Sequence, residues 1–586
     1  MRNGAPRRPG PESRPKDETR SMHFLLGKPP GDRLLLMGNE AICRGALEAG
    51  VAVASAYPGT PSSEISNNLF ALSQEAGNRL YFEFSVNEKV AMEVAAAAGA
   101  AGLRSLTCMK HVGLNVASDV LLTLAYVGTE GGMVIVTADD PAMHSSQNEQ
   151  DNRLYARFAN LPMLEPTTPQ EAKDMTAAAF EISEALKLPV ILRTTTRTSH
   201  MRGPVTLGPI PAEKRTRGAF QADYMRWIPV PLTAKIRHGI LLEQIEKGRD
   251  LAEASPFNRI EGTGPLGILA SGAAACYVAD AIRELGAEDE VTFLRLGFTF
   301  PPARNLFRRL LAGTERVLVV EELEPFQEEA LRLVAQEAGL ATPILGKGTG
   351  HFTRLNEYSP AEVTRVIAEL LGRDPAPPEQ PDFSELPELP LRPPSLCPGC
   401  PHHATFTAAR TALEELGLAE RTIYPADIGC YTLAVLPPIQ MSDYLLCMGS
   451  SIGTSAGFSV ATDQNVVAFI GDSTFFHAGI PSLINAVHNR HRFCLVILDN
   501  STTAMTGHQP HPGATLTPPG YDRAVVPIER VVRACGVDMV KRIDPYRTEE
   551  AVAAFKEAFT SGALSVVIAE APCLLYKKKL AGRAKA

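Results

Sequence analysis

The stretch VVAFIGDSTFFHAGIPSLINAVHNRHRFCLVILDNSTTAMTGHQ, residues 466–509, limits the fold of this chain more than any other. An apolar strand, VVAFI, ends at Gly471-Asp472-Ser473; a helix is predicted over roughly 480–489; a second strand, CLVIL, ends at Asp499-Asn500. Strand, helix, strand is a crossover unit, and its right-handed closure sets the two strands parallel. Asp472 and Asn500 then stand at one carboxyl edge of a sheet, where open α/β sheets bind their ligands. A carboxylate, an amide oxygen and a backbone carbonyl there suit Mg2+, which prefers to share its coordination with a diphosphate. A Gly-Asp after a strand is also an ordinary turn, and alone it would be read as one.

The rest of the chain repeats this pattern. LLLMGNEAICRGALEAG and VAVASAYPGTPSSEISNNL pair β-rich runs with Gly or Pro turns and helical periodicity, and GGMVIVTADD and LPVILRTTT are short buried-strand candidates. A second α/β unit begins near Gly264 with PLGILASGAAACYVADAIRELG, VTFLRLG and ERVLVVEEL; a third holds TIYPADIGC and the 466–509 stretch. Between the second and third lies 374–394, DPAPPEQPDFSELPELPLRPP, whose eight prolines suit a semi-extended linker. The expected fold is α/β: three parallel-sheet domains in series over 34–262, 263–373 and 395–586, after a disordered tail over 1–33.

Composition narrows the class. Hydrophobic residues at 45% and charged residues at 21% of 586 are globular values. The net charge of −8 creates no general field for nucleic acid, so none is expected as a partner. Ten cysteines in this length suit a reducing compartment rather than a disulfide scaffold. The opening MRNGAPRRPGPESRPKDETRS lacks the apolar core of a secretory signal, and no apolar run is long enough to span a bilayer. A cytoplasmic protein without membrane attachment is expected.

Gly471-Asp472 and the later Asn500 resemble the diphosphate signature of thiamine diphosphate enzymes. The resemblance implies Mg2+ on Asp472, Asn500 and the Thr502 carbonyl, with Gly471, Ser473, Asp427, Gly449 and Ser450 also at the cofactor. Such chemistry needs a carboxyl group against the aminopyrimidine ring, in surroundings that raise its pKa. FEFSVNEKVAMEVAAAAGAAG, residues 82–102, delivers Glu88 from a strand to the start of a small-residue helix. This segment is similar to the one carrying that Glu in 2-oxoacid:ferredoxin oxidoreductases. The other reading makes Glu88 a helix-start carboxylate favoured by the macrodipole.

YPGTPSSEI (57–65), LTCMKHVGLNVASD (106–119), CPGCPHH, ADIGCYTL and TGHQ extend the likeness over most of the chain. Together they resemble the α subunits of the indolepyruvate branch of that family. The resemblance places Thr60 near a substrate carboxyl, and Lys110 or His111 near the reacting centre; a Lys or His at a strand end is otherwise simply solvated. It implies oxidative decarboxylation of an arylpyruvate to arylacetyl-CoA and CO2, with coenzyme A as co-substrate and electrons leaving singly to ferredoxin or a similar acceptor. It further implies a smaller partner subunit and an (αβ)2 assembly, with thiamine sites between domains of different protomers. A non-oxidative arylpyruvate decarboxylase is the alternative, and a degenerate thiamine-binding subunit a third reading.

Electron transfer needs an exit. The run of Cys-x-x-Cys-x-x-Cys common at the end of such α subunits is not in this sequence. The family also carries a cluster in its diphosphate domain, and by local motif Cys397, Cys400, Cys430 and Cys573 match its ligands, which implies one [4Fe–4S] centre. The same four residues could hold zinc, Cys397 and Cys400 could be a dithiol, or all could be ordinary buried cysteines.

Overall fold

The computed structural model describes residues 22–583 apart from 76, 79, 214, 375–386, 388, 389, 391, 392, 519 and 520. Residues 1–21 of the tail expected over 1–33, and most of the proline-rich connection, lie outside the described residues. Residues 22–32, expected within that tail, are docked: Leu25 is fully buried in the first core, and its carbonyl accepts a bond from Arg44 at 2.5 Å.

Three sheets organise the molecule. The first has seven strands in the order Phe298–Phe300, Met163–Leu164, Val190–Thr195, Met133–Asp139, Ser105–Lys110, Val53–Ala56, Tyr81–Phe84. All its pairings are parallel except that of Phe298–Phe300. Met133–Asp139 and Val190–Thr195 are buried at every position, as parallel strands covered on both faces must be. The second sheet runs Ile344–Leu345, Arg316–Val320, Leu266–Ser271, Val291–Leu296, Arg259–Glu261, with only the last antiparallel. The third, Thr422–Ile423, Asn465–Gly471, Cys494–Asp499, Ser565–Glu570, Met539–Ile543, is wholly parallel.

Two features depart from parallel domains simply joined in series. Arg33–Met37 enters no parallel sheet and pairs antiparallel with Arg202–Thr206 as a separate ribbon. Phe298–Phe300 leaves the second unit and extends the sheet of the first. A buried ionic cluster lies along the same seam. Arg153 pairs with Asp151 at 2.6 Å and with Glu321 of the second unit at 2.6 Å, while Arg193 holds Asp139 at 2.9 Å and Glu165 at 2.7 Å. Charges taken out of water are tolerated only when paired and hydrogen-bonded, and Arg153 meets that need partly across the seam, on Glu321.

Candidate active site

Asn465–Gly471 and Cys494–Asp499 lie side by side and parallel, so Asp472 and Asn500 emerge at one sheet edge. Asp472 Oδ1 accepts the Ser473 amide at 2.7 Å, and Oδ2 accepts that of Asn500 at 3.0 Å. The His511 Nε2 is 3.0 Å from the same Oδ2. Burial works against the Asp472 charge, but the neighbouring His511 outweighs it and holds the carboxyl below its ordinary range; His511 is raised in return. Asn500 Oδ1 accepts the Thr502 amide at 3.1 Å, and its Nδ2 donates to His402 Nε2 at 2.9 Å. Burial pushes His402 down to about 4, leaving the neutral imidazole that can accept this bond.

The helix after Gly471 begins sooner than its sequence predicts. A single α turn, Asp472–Thr474, runs into a π turn, Phe475–Gly479, and then into Ile480–His488. Such turns recur at functional sites because they re-aim a side chain within a continuous helix. Here the π turn carries His477 to Glu88, with Nε2 2.8 Å from Oε2.

Glu88 opens the helix Glu88–Ala100, capped by Asn87, whose side chain accepts the Val90 amide at 2.9 Å. It is thus a helix-start carboxylate, and it is buried against the cavity. Gly113, on the helix His111–Val127, makes room for it, because a Cβ there would stand 2.6 Å from Glu88 Oε1. Tyr57 donates to or accepts from Ser473 at 2.8 Å, and Gln509 donates to Asn67 at 3.0 Å. The first and last units therefore close on one another within a single chain, where the family resemblance implies a site shared by two protomers.

The space between them is a cavity of about 380 Å³. Its wall includes Thr60, Glu88, Lys110, Cys430, Gly471, Asp472, Ser473, Asn500 and Thr502. Four of the residues expected at the substrate or thiamine cofactor, His111, Asp427, Gly449 and Ser450, stand back from it, as do Cys397, Cys400 and Cys573. His111 is buried, with Nε2 3.2 Å from the Asn148 carbonyl. Asp427 accepts the amides of Ile428 at 2.8 Å, Gly449 at 2.6 Å and Ser451 at 3.0 Å. It anchors the start of the helix Ser450–Ala461, so Asp427, Gly449 and Ser450 hold the loop whose Leu446, Cys447 and Met448 reach the wall. Burial raises Asp427 although these amides oppose the shift. Lys110 donates to the Ser145 carbonyl at 3.0 Å, and burial lowers it to about 8 against the pull of Asp140 and Glu88.

The four cysteines form no disulfide and stand in one neighbourhood. Cys430 is pushed up to about 12, first by burial and then by Cys400, Cys573 and Cys397. The Cys573 amide donates to the Asn500 carbonyl at 3.0 Å, tying this neighbourhood to the sheet edge. Among the described residues no three or more His, Cys, Asp or Glu side chains are gathered as the ligands of a single metal ion.

Tyr57, His477 and Gln509 lie within quoted motifs and His511 lies two residues beyond one, yet nothing local in the sequence marks their roles. Their signal is tertiary, since His477 meets a residue 389 positions away.

Fold and site together define a thiamine diphosphate enzyme. Residues 427–569 match the thiamine pyrophosphate enzyme C-terminal TPP-binding domain, and residues 44–244 match the pyruvate flavodoxin/ferredoxin oxidoreductase thiamine diphosphate-binding domain. The chain is 51% identical over 563 residues to indolepyruvate oxidoreductase subunit IorA of Methanothermobacter thermautotrophicus, covering 95% of this chain and 90% of that one. It is 47% identical to the IorA of Thermococcus kodakarensis, covering 94% and 88%. The IorA of Archaeoglobus fulgidus is 45% identical, covering 93% and 87%. The chain belongs to the IorA family of indolepyruvate oxidoreductase subunits.

Proposed function

We propose that this chain is the catalytic subunit of an oxidoreductase that decarboxylates an arylpyruvate of indolepyruvate type. The products are arylacetyl-CoA and CO2, with coenzyme A as co-substrate and ferredoxin or a similar protein as the one-electron acceptor. The carrying observation is that Glu88 from the first unit and Asp472 with Asn500 from the last face one cavity.

Gly471, Asp472 and Ser473 would hold the thiamine diphosphate, with Mg2+ on Asp472, Asn500 and the Thr502 carbonyl. The recess at Gly113 and the buried carboxylate it accommodates fit the aminopyrimidine end of that cofactor. When bound, thiamine diphosphate supplies the carbon nucleophile and electron sink for loss of CO2. Glu88 would hold and release a proton at the aminopyrimidine ring. Lys110, with a pKa of about 8, remains a cation at neutral pH and binds the substrate carboxylate beside Thr60. Val112, Val116, Leu446 and Met448 give the cavity an apolar side for an aryl group. His111 has no part in this reading, because its ring is turned to Asn148.

Cys397, Cys400, Cys430 and Cys573 would hold one [4Fe–4S] cluster beside the cavity, at the place where Cys430 reaches its wall. A smaller partner subunit completes the enzyme in an (αβ)2 assembly. Anaerobic purification with that subunit is expected to give about four irons per chain, the complement of such a cluster, together with bound thiamine diphosphate. Cys430→Ser should abolish acceptor reduction while the cofactor stays bound. An iron-free preparation that converts indolepyruvate to an aldehyde would reject this function in favour of non-oxidative decarboxylation.

A further inference from the structure

Resting on the reading of Glu88 above, we propose that His477 is the positioning residue for Glu88, holding one carboxyl oxygen so that the other meets the cofactor ring. His477 is buried on the π turn Phe475–Gly479, and its Nε2 lies 2.8 Å from Glu88 Oε2. Its carbonyl accepts a bond at 3.0 Å from Nδ2 of Asn87, the cap of the Glu88 helix. Its ring packs edge-on against Tyr57, with centroids 4.7 Å apart. Three neighbours from the first unit thus converge on one residue of the last.

The other ring nitrogen settles the direction of the bond. Nδ1 is buried and has no hydrogen-bond partner among the described residues. A proton there would be a buried, unpaired donor, which is costly. The proton therefore sits on Nε2 and is donated to Glu88. With Oε2 so held, Oε1 lies over Gly113, where the missing side chain leaves it room. A glutamate has several rotatable bonds, and without such a clamp its carboxyl would sample orientations that do not face the ring. Catalytic groups gain from being held in place before reaction.

Three variants of the complete enzyme with its partner subunit test this. His477→Phe keeps the ring and loses the donor. His477→Gln can present an amide N–H at the reach of Nε2, whereas His477→Asn is too short. Each is loaded with thiamine diphosphate and Mg2+, and two quantities are measured: the cofactor's dissociation constant, and the rate at which its C2 proton exchanges with deuterium, read by NMR after acid quench. In His477→Phe the exchange rate is expected to fall about 10- to 100-fold, the size of one lost hydrogen bond to a charged group, with affinity changed less than about threefold. His477→Gln should recover most of that rate and His477→Asn should not.

Wild-type exchange in His477→Phe would overturn the proposal. Should His477→Phe fail to fold, equal rates in the Gln and Asn variants would overturn it instead. Glu88→Gln separates the two claims. Slow exchange there with fast exchange in His477→Phe removes only the role of His477, while fast exchange in Glu88→Gln removes the reading of Glu88 itself.

Discussion

Lys110 shows what a single residue costs this site. Its ammonium is partly withdrawn from water with one carbonyl as hydrogen-bond partner, and burial lowers its pKa from 10.5 to about 8. Between those values the unfolded chain carries a proton that the folded chain has lost, so the native state gains stability as pH rises there. Below pH 8 the penalty is present in full. Lys110→Met should therefore raise the thermal midpoint at pH 7, and the gain should shrink between about pH 8 and 10.5. The same variant should raise KM for the 2-oxoacid about tenfold or more, the usual loss for a charge-assisted contact. A midpoint gain that stays constant from pH 7 to pH 10 would contradict the sign of this shift. Asp472 and Asn500 could be picked out in the sequence because each stands at the end of a strand in one crossover unit, whereas Glu88 and Lys110 are singled out by the family resemblance of their segments. His477 and Tyr57 could be found by neither route, because their significance lies in partners hundreds of residues away.

At the scale of elements, the approach of two helices leaves room for Glu88. His111–Val127 packs on Glu88–Ala100, and Gly113 sits where a Cβ would meet Glu88 Oε1 at 2.6 Å, Cγ at 2.8 Å and Cδ at 2.9 Å. Alanine is the better helix former by about 1 kcal/mol, and overpacking typically costs about 1–3 kcal/mol. Gly113→Ala should thus change global stability by no more than about 2 kcal/mol while displacing the carboxyl. Denaturation should show a near-native protein, and C2 exchange of the bound cofactor should slow more than about tenfold. Parallel strands such as Met133–Asp139 are legible as continuous apolar runs, since both of their faces are covered. Pairing partners are not. Neither the ribbon of Arg33–Met37 with Arg202–Thr206 nor the transfer of Phe298–Phe300 to the first sheet leaves a local pattern, because register and direction are decided by the rest of the fold. The π turn is equally silent, as FFHAG has ordinary helical composition.

On the scale of the whole molecule, the proposed cofactor site is where the first and last α/β units meet. Glu88 with His477, Tyr57 with Ser473, and Asn67 with Gln509 join units separated in sequence by the second α/β unit. A ligand filling the cavity between them binds the folded chain and not the unfolded one, so it stabilises by mass action. At one hundred times its dissociation constant the gain is about 2.7 kcal/mol. Because both walls belong to one chain, that gain should not depend on how often two chains meet. Thiamine diphosphate with Mg2+ should raise the thermal midpoint by the same amount when the protein is diluted tenfold at fixed cofactor concentration. Were the site instead completed by another protomer, dilution would erode the shift as the copies separate. Chelation of Mg2+ should then abolish the gain at every protein concentration, because Asp472, Asn500 and the Thr502 carbonyl would hold the diphosphate only through the ion.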